Sequence, residues 1–522
     1  MKSTLHNNLM NATLAGLLFA GLPASLCAQS NYNSFELQRE DNWGPMQLED
    51  MNGDGRQDIL VPALNPALGR ELHIYHQLSD GNFNAEPQRI EIKSEIVAIA
   101  TADLRSDPGS ELVLFANQGV FSLSTATEGY AGNLKPLAQW ELLAGVPDAE
   151  AVRFTNLVTD LNQDGTVDLL LPGDDQYGIF LGEGNEAFSL TGTFSTLNPG
   201  MTPIQRRNFE TDFDAELGIN AEQGIIIELT VDTPTPFDGF VEKWQAENDS
   251  SRSLLNSEQW MPAAQLGKLD ADDLPDISYI NAGENGQGQF NAHYQRPNGE
   301  YAAAPDWSVT FDSRGELELL DMNNDGLDDL LRLDGNGDDW TAWLFINRGG
   351  TFDFTTPDQV MRFSGYDVQL DLITLQADSD PVLSVNYYTI PVVDAIRNAS
   401  INRVQLLYAP AATNDGRVFS NRPASRLEES FSADNVRGLA EQMSLRFDVD
   451  GDGRKDALYI TANGTLAAKR IGNDLQIASD PFWEYVSPRS VFEFRVLQLN
   501  DDEHPDLFLR HGSTSTFLVA QP

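Results

Sequence analysis

Carboxylates at regular spacing are the side chains of this sequence best suited to do chemistry. Four stretches match the pattern Asp-x-Asn/Asp-x-Asp-Gly-x-x-Asp without exception, and we call them the four full loops. Alternate residues of a tight loop can direct their side chains inward, glycine at position six permits a positive φ, and the aspartate at position nine closes the shell. Position seven would add its backbone carbonyl. Positions one, three, five, seven and nine are Asp50, Asn52, Asp54, Arg56 and Asp58; Asp160, Asn162, Asp164, Thr166 and Asp168; Asp321, Asn323, Asp325, Leu327 and Asp329; and Asp448, Asp450, Asp452, Arg454 and Asp456.

This set of oxygens suits a hard cation that takes six to eight ligands at ~2.3–2.6 Å, as Ca²⁺ does. We therefore predict about four structural Ca²⁺ ions. The plainer alternative is that the loops are only Asp-rich turns, but a turn needs neither the alternation nor the distant ninth aspartate. An EF-hand would need glutamate at position twelve, where this sequence has Val61, Leu171, Arg332 and Tyr459.

Five further stretches are degenerate versions of the same loop. Those starting at Lys268 and Gln498 keep positions three, five and nine but lose the first aspartate and the glycine. Weaker matches start at Asp103, Asp212 and Gln376, and Arg105 at the third position of the first of them indicates a metal-free loop. Whether the degenerate loops bind metal is left open by the sequence.

The loops recur with a period of about 53 residues, which identifies them as parts of a repeat. Each full loop leads into a short apolar stretch such as Ile59–Val61, and a second such stretch follows, which is typical of strands. Four strands per period is the proportion of a propeller blade. We predict an all-β fold, a single β-propeller of seven to nine four-stranded blades over residues 29–522, in which Phe35–Gln38 completes the last blade and hides both edges.

The loops, their period and a trailing Gly-x-Phe/Tyr at Gly81–Phe83, Gly299–Tyr301 and Gly350–Phe352 resemble FG-GAP/VCBS repeats. Blades of this kind are also found in the integrin α-subunit propeller. The resemblance covers nearly all of residues 33–520. It implies a propeller with one calcium ion in each intact loop, held on the rim between two strands of a blade.

The first 28 residues have the layout of a secretory signal peptide. Lys2 precedes an apolar stretch from Leu14 to Leu22, and small residues follow. We predict cleavage near Ala28 and a secreted or periplasmic protein. A lipoprotein is the alternative because of Cys27, but Leu26 stands where a lipobox has a small residue. No later apolar run reaches ~18 residues, so no membrane span is expected.

The charge balance excludes several partners. There are 33 Lys+Arg against 79 Asp+Glu, a formal net charge of −46, and the basic residues form no run longer than a pair, such as Arg206 and Arg207. Such a chain repels phosphate backbones and anionic membranes, so we expect no nucleic-acid binding, a monomer, and a partner that is neutral, cationic or bridged through Ca²⁺.

Catalytic signals are weak. Metalloprotease, nucleophile-elbow and phosphate-loop motifs are absent from the sequence, and the predicted mature chain has no cysteine nucleophile. We therefore favour a binding scaffold for a protein or polysaccharide ligand over an enzyme. The alternative is a polysaccharide lyase for uronate glycans using His73, Tyr75 and His76, although the repeat places His76 in phase with Tyr294 and so indicates packing. A purely structural surface protein is a third hypothesis.

Overall fold

The computed structural model forms a β-propeller of eight four-stranded antiparallel blades arranged in a ring. A separate two-stranded pair, β14 (Ile219–Asn220) and β15 (Ile225–Ile226), lies between blades 3 and 4 in the chain. The structure describes residues 32–38, 46–127, 129–130, 132–142, 152–155, 157–173, 176–197, 219–220, 225–226, 262–282, 286–377, 379–390, 400–412, 416–432, 443–461, 463–500 and 506–520.

Each blade uses four strands that are consecutive in the chain, except the last blade, whose fourth strand is the first strand of the chain. Blades 1 to 4 are β2 (Gln47–Glu49), β3 (Asp58–Asn65), β4 (Gly69–Tyr75), β5 (Gln88–Glu91); β6 (Ile96–Ala102), β7 (Glu111–Ala116), β8 (Gly119–Ser124), β9 (Lys135–Gln139); β10 (Val158–Thr159), β11 (Asp168–Pro172), β12 (Tyr177–Gly184), β13 (Ala187–Phe194); and β16 (Gln265–Gly267), β17 (Asp276–Ala282), β18 (Gln287–His293), β19 (Trp307–Asp312). Blades 5 to 8 are β20 (Glu316–Leu320), β21 (Asp329–Asn336), β22 (Asp339–Phe345), β23 (Gln359–Phe363); β24 (Tyr366–Ile373), β25 (Val382–Thr389), β26 (Ser400–Tyr408), β27 (Ser425–Ser432); β28 (Ser444–Phe447), β29 (Asp456–Ile460), β30 (Leu466–Lys469), β31 (Trp483–Tyr485); and β32 (Glu493–Leu497), β33 (Asp506–Arg510), β34 (Thr514–Ala520), β1 (Tyr32–Gln38).

The second strand of each blade is apolar on both faces because neighbouring blades cover it. In β11, Leu169, Leu170 and Leu171 are all buried, and Leu169 and Leu171 share a cluster with Phe115 of the preceding blade. Burying one such side chain contributes about 1.5–3 kcal/mol, so these blade-to-blade layers form the core.

The first strands of neighbouring blades meet around the centre of the ring. Gln47 Nε2 of β2 donates to Thr101 Oγ1 of β6 at 2.9 Å. In another pair of neighbouring blades, Arg446 of β28 forms a salt bridge of 3.0 Å with Asp371 of β24. The first strands therefore line the central channel, and their polar side chains face it.

The predicted ring closure is confirmed. β1 pairs with β34 along its whole length, from Tyr32 opposite Ala520 to Gln38 opposite Thr514. Leu37 is buried, and Phe35 packs its ring 5.2 Å from that of Phe83 in blade 1.

The count of nine loops was one too high for the number of blades. Eight of them join the first and second strands of the eight blades, including the poor loop at Gln376, which joins β24 to β25. The ninth, at Asp212, lies outside the described residues, in the connection between β13 and β16. Strands of eight or nine residues in blade 6 account for part of the long gap after Gln376.

The trailing Gly-x-aromatic triplets also have a structural basis. Gly81, Gly299 and Gly350 all have positive φ, between the third and fourth strands of their blades. The aromatic residue two positions later is buried in each case, at Phe83, Tyr301 and Phe352. Separately, no helix within the described residues is long and apolar enough to cross a membrane.

Candidate metal centres in the strand-connecting loops

All eight loops lie at one end of the propeller. Each joins the first strand of a blade to the second, and all blades share the same strand order. The loops therefore occupy equivalent places in their blades, and their carboxylates form a circle of negative charge at that end.

The first carboxylate of each full loop is held by the backbone of its own loop. In the first loop, Asp50 accepts hydrogen bonds from Gly53 N at 2.7 Å and from Gly55 N at 2.8 Å. The position-six amide makes the same bond to the first carboxylate in the other full loops, at 2.9, 2.9 and 2.6 Å. The turn thus fixes the orientation of one prospective ligand before any ion binds.

The backbone conformation of the loops confirms the role given to glycine and adds a second position. Glycine at position six has φ between 81° and 87° in all four full loops. Position four also has positive φ, at Gly53, Gln163, Asn324 and Gly451. Glycine and asparagine favour that region, so the residue types at position four were a signal that we did not use.

The ninth residue has a role that the sequence did not reveal. Asp58 is fully buried, and it accepts from Met51 N at 3.1 Å and from Gln77 N, beyond the third strand, at 2.9 Å. Equivalent bonds occur in the degenerate loops, where Asp276 accepts from Leu269 N at 2.9 Å and from Gln295 N at 3.0 Å. The ninth carboxylate of these two loops therefore joins three strands of a blade, although the second loop lacks the first aspartate and the glycine.

Burial raises the pKa of several of these ninth carboxyls. The pKa of Asp329 and of Asp456 rises to about 7, and that of Asp276 to about 6. The backbone amides that donate to them act in the opposite direction. A divalent cation would restore the charged form by supplying the missing positive charge.

The loop that starts at Asp448 shows the arrangement most suited to a cation. One oxygen from each of Asp448, Asp450 and Asp456 lies within 4.8 Å of the others, and among the described residues only this loop brings three acidic side chains so close. Oδ1 of Asp450 is buried and accepts no hydrogen bond from any described residue. Asp450 Oδ2 accepts from Arg470 Nε at 2.9 Å. All-oxygen donors with an unused buried oxygen fit a hard cation such as Ca²⁺.

In the other full loops, asparagine replaces aspartate at position three. Its side-chain oxygen accepts from the position-five amide at 3.0 Å in each loop. Position five in turn accepts from the position-seven amide in all four, at 2.8–3.0 Å. The arginines at position seven differ, since Arg56 pairs with Asp54 whereas Arg454 donates to Ile471 O at 2.7 Å and points away from the carboxylates.

The degenerate loop at Asp103 contains an arginine where a ligand would be. Arg105 Nε donates to Glu186 Oε1 of the next blade at 2.6 Å, and Nη1 donates to Asn133 Oδ1 at 2.9 Å. Both side chains of the ion pair are almost fully buried, at 10% and 5% exposure. The guanidinium thus supplies a fixed positive charge at this loop. That the loop binds no metal stays a prediction.

Neighbouring loops are also hydrogen-bonded to one another. The residue before the ninth position donates its N–H to the carbonyl that begins the preceding loop: Ser110 N to Asp50 O at 3.0 Å, and Asp328 N to Lys268 O at 2.6 Å. Lys455 N makes the equivalent bond to Leu375 O at 2.8 Å. The loops therefore form linked pairs around the end of the ring.

The residues considered for a lyase are each engaged by a different partner. His73 Nε2 lies 2.8 Å from Glu71 Oε2, and His76 Nδ1 lies 2.8 Å from Asp58 Oδ2, a contact that raises the pKa of His76. Tyr75 packs on Phe35 with ring centroids 5.8 Å apart. The predicted phase of the two strands is confirmed, because Tyr75 lies opposite Ile59 as His293 lies opposite Ile277.

The tryptophans of the described residues are half-buried and pack against the core clusters. Trp307 lies 5.8 Å from Phe290, and Trp483 packs against the cluster of blades 7 and 8. Trp43, Trp244 and Trp260, and the basic pair Arg206 and Arg207, lie outside the described residues.

Comparison with known proteins gives matches in structure alone. No family model matches the chain, and no curated protein matches it. Among solved structures, a lectin from Agrocybe aegerita that recognises non-reducing terminal N-acetylglucosamine has 14% identity and a TM-score of 0.33, covering 75% of this chain and 80% of its own. An exotype rhamnogalacturonan lyase has 12% identity and a TM-score of 0.31, over 95% and 75% of the two chains. The periplasmic gluconolactonase of Pseudomonas aeruginosa has 11% identity and a TM-score of 0.32, over 91% and 100%. Similarity this low carries no argument about function.

Proposed function

We propose that this protein is an exported, calcium-stabilised β-propeller of the FG-GAP/VCBS type that acts as a binding scaffold for a protein or glycan. The observation that carries the metal part is the Asp448 loop, with three carboxylates within 4.8 Å and a buried Asp450 oxygen that accepts no hydrogen bond from described residues. The other full loops present the same positions with asparagine at position three.

The role of the ion in this proposal is structural. Without a counter-charge the clustered carboxylates repel one another, and the pKa values near 7 at Asp329 and Asp456 reflect the cost of charging the ninth position in a buried site. Asp448, Asp450 and Asp456 would hold the ion, and Asp452 and the carbonyl of Arg454 would add further oxygens to the shell. The bound cation supplies charge neutralisation, which ties the first and second strands of the blade together.

The scaffold part of the proposal rests on the ring itself. Eight blades present many loops at two ends and a polar channel at the centre, and the described histidines are each engaged by a separate partner. This favours binding over proton abstraction from a uronate. Incubation with polygalacturonate and alginate, monitored by absorbance of an unsaturated product, tests the lyase alternative, and product formation would contradict our choice.

Thermal unfolding with and without Ca²⁺ tests the metal proposal. Binding to the folded form alone stabilises by about 2.7 kcal/mol per site at a hundredfold excess over Kd, so millimolar Ca²⁺ should raise the melting temperature well above that in chelator. The double variant Asp448→Asn, Asp450→Asn should lose one bound ion in a calcium titration. Asp480→Asn, an exposed acid outside the loops, is the matched control. An identical melting curve in chelator and in Ca²⁺ would refute the proposal.

A further inference from the structure

A polar cavity opens on the central channel between the first strands of blades 5, 6 and 7. Its volume is about 300 Å³, at the lower end of the range for small-molecule sites. Its polar lining comes from three blades: Glu318, Gln369, Asp371, Asn386, Ser444 and Arg446. The rim residues Gln369 and Arg446 are exposed, whereas Asn386 is only 5% exposed.

Asn386 departs from the pattern of the repeat. It is the fifth residue of the second strand of its blade, and it lies opposite Gln369 in the register. At that position six of the other blades carry an apolar residue or proline, and blade 8 carries Arg510. The full set for blades 1 to 8 is Pro62, Phe115, Pro172, Ile280, Leu333, Asn386, Ile460 and Arg510.

The amide of Asn386 also has an unused buried acceptor. Its Oδ1 is buried and accepts no hydrogen bond from any described residue. Leaving such a group unpaired costs about 1–3 kcal/mol, and the leucine that blade 5 has at this position would avoid that cost. The amide of Asn386 therefore costs the fold stability, but it lines a cavity where it could form hydrogen bonds to a ligand.

The chemistry of the lining identifies the class of ligand. Arg446 donates to both carboxylate oxygens of Asp371, at 3.2 and 3.0 Å, which places a planar set of donors and acceptors at the rim. The amides of Gln369 and Asn386 add further donors and acceptors. Two acids and one arginine leave the lining with a net negative charge, and the chain as a whole carries −46, so anionic sugars are repelled.

We propose that this channel cavity binds one neutral sugar unit through its hydroxyl groups, with Asn386 as the buried specificity-determining residue. This rests on the proposed scaffold function but not on calcium binding. Sugar hydroxyls both donate and accept, so they match a lining of amides, carboxylates and a guanidinium better than a purely cationic ligand does.

The test uses saturation-transfer NMR and calorimetry on the full-length protein with glucose, galactose, mannose and xylose as probes. At least one of them should bind, and Asn386→Leu should weaken that binding by roughly tenfold or more, as expected for loss of a buried hydrogen bond. Asn402→Leu, the same substitution in the neighbouring strand of the same blade but outside the cavity, should leave affinity within roughly twofold of the parent.

The folding of the variant is checked by its far-UV circular dichroism spectrum, which should match that of the parent. Arg446→Gln serves as a second cavity variant, with the same expected loss. Binding that survives both cavity variants, the absence of binding for all four sugars, or binding of spermidine in their place would each overturn the proposal. None of these outcomes would affect the result of the calcium melting test, so failure of the two proposals can be told apart.

Discussion

At the scale of single residues, the buried aspartate at position nine of a loop both accepts backbone hydrogen bonds and carries a titratable charge. Asp276 is fully buried and accepts three backbone N–H groups, from Leu269, Asp270 and Gln295. Burial nevertheless raises its pKa to about 6. Because the folded state then holds this proton more tightly than the unfolded state, the group makes unfolding easier as pH rises from about 4 towards 6.

Asp276→Asn isolates this effect. In chelator, the free energy of unfolding of the parent should fall relative to that of the variant by up to roughly 3 kcal/mol as the pH rises from about 4 to about 6. Above pH 6 the difference between the two proteins should stay constant. Chemical denaturation at a series of pH values measures the difference. A constant difference between pH 4 and 7 would show that Asp276 titrates normally.

The residues of the candidate sites differ in how well the sequence could predict them. The loop carboxylates were predictable because a cation needs oxygens at fixed spacing. The buried pair of Arg105 and Glu186 was not, since its members lie 81 residues apart and no periodicity links them. Asn386 was missed because its blade has only a poor loop at Gln376, so the repeat could not be aligned well enough to show an amide in an apolar column.

At the scale of elements, the loops and strands are interlocked between blades. A Cβ added to Gly53 would lie 2.4 Å from Pro108 Cβ and 2.5 Å from Gly109 N in the next loop. A Cβ added to Gly55, two residues on, would meet nothing within 4 Å. Both glycines have positive φ, so they differ mainly in the contact with the neighbouring blade.

Gly53→Ala should therefore destabilise the protein more than Gly55→Ala. The backbone penalty is about 1–2 kcal/mol for both, and displacement of the neighbouring loop adds roughly 1–3 kcal/mol for Gly53 alone. Denaturant unfolding in chelator measures both without interference from bound ions. Equal losses would mean that the loops are not packed as described.

The elements themselves were largely predictable. In seven blades the second strand begins at the ninth residue of the loop, so the loop pattern alone marked where each strand starts. The blade count was harder to predict because the sequence has a long insertion between blades 3 and 4, and the acidic residues near Asp212 in it match the loop pattern weakly.

At the scale of the whole molecule, the ring depends on a strand from the other end of the chain. Leu37 of β1 is 5% exposed and packs with Phe517 and Val519 of β34. Leu37→Ala should cost about 2–4 kcal/mol, whereas Leu68→Ala, at a residue 63% exposed in the turn between β3 and β4, should cost less than about 0.5 kcal/mol. Melting curves of the two variants compare them, and similar midpoints would argue against closure by β1.

This closure also sets the order in which the molecule can be completed during synthesis. Among the strands of the ring, Tyr32–Gln38 is synthesised before all the others, yet its partner Thr514–Ala520 is synthesised after them. Seven blades can assemble from neighbouring segments as the chain emerges, while the first strand stays unpaired until the final strand is present. Pairing of such distant segments is slow and leaves an open edge exposed to other chains in the meantime. The final blade is therefore the stage at which a nascent chain most needs protection from aggregation.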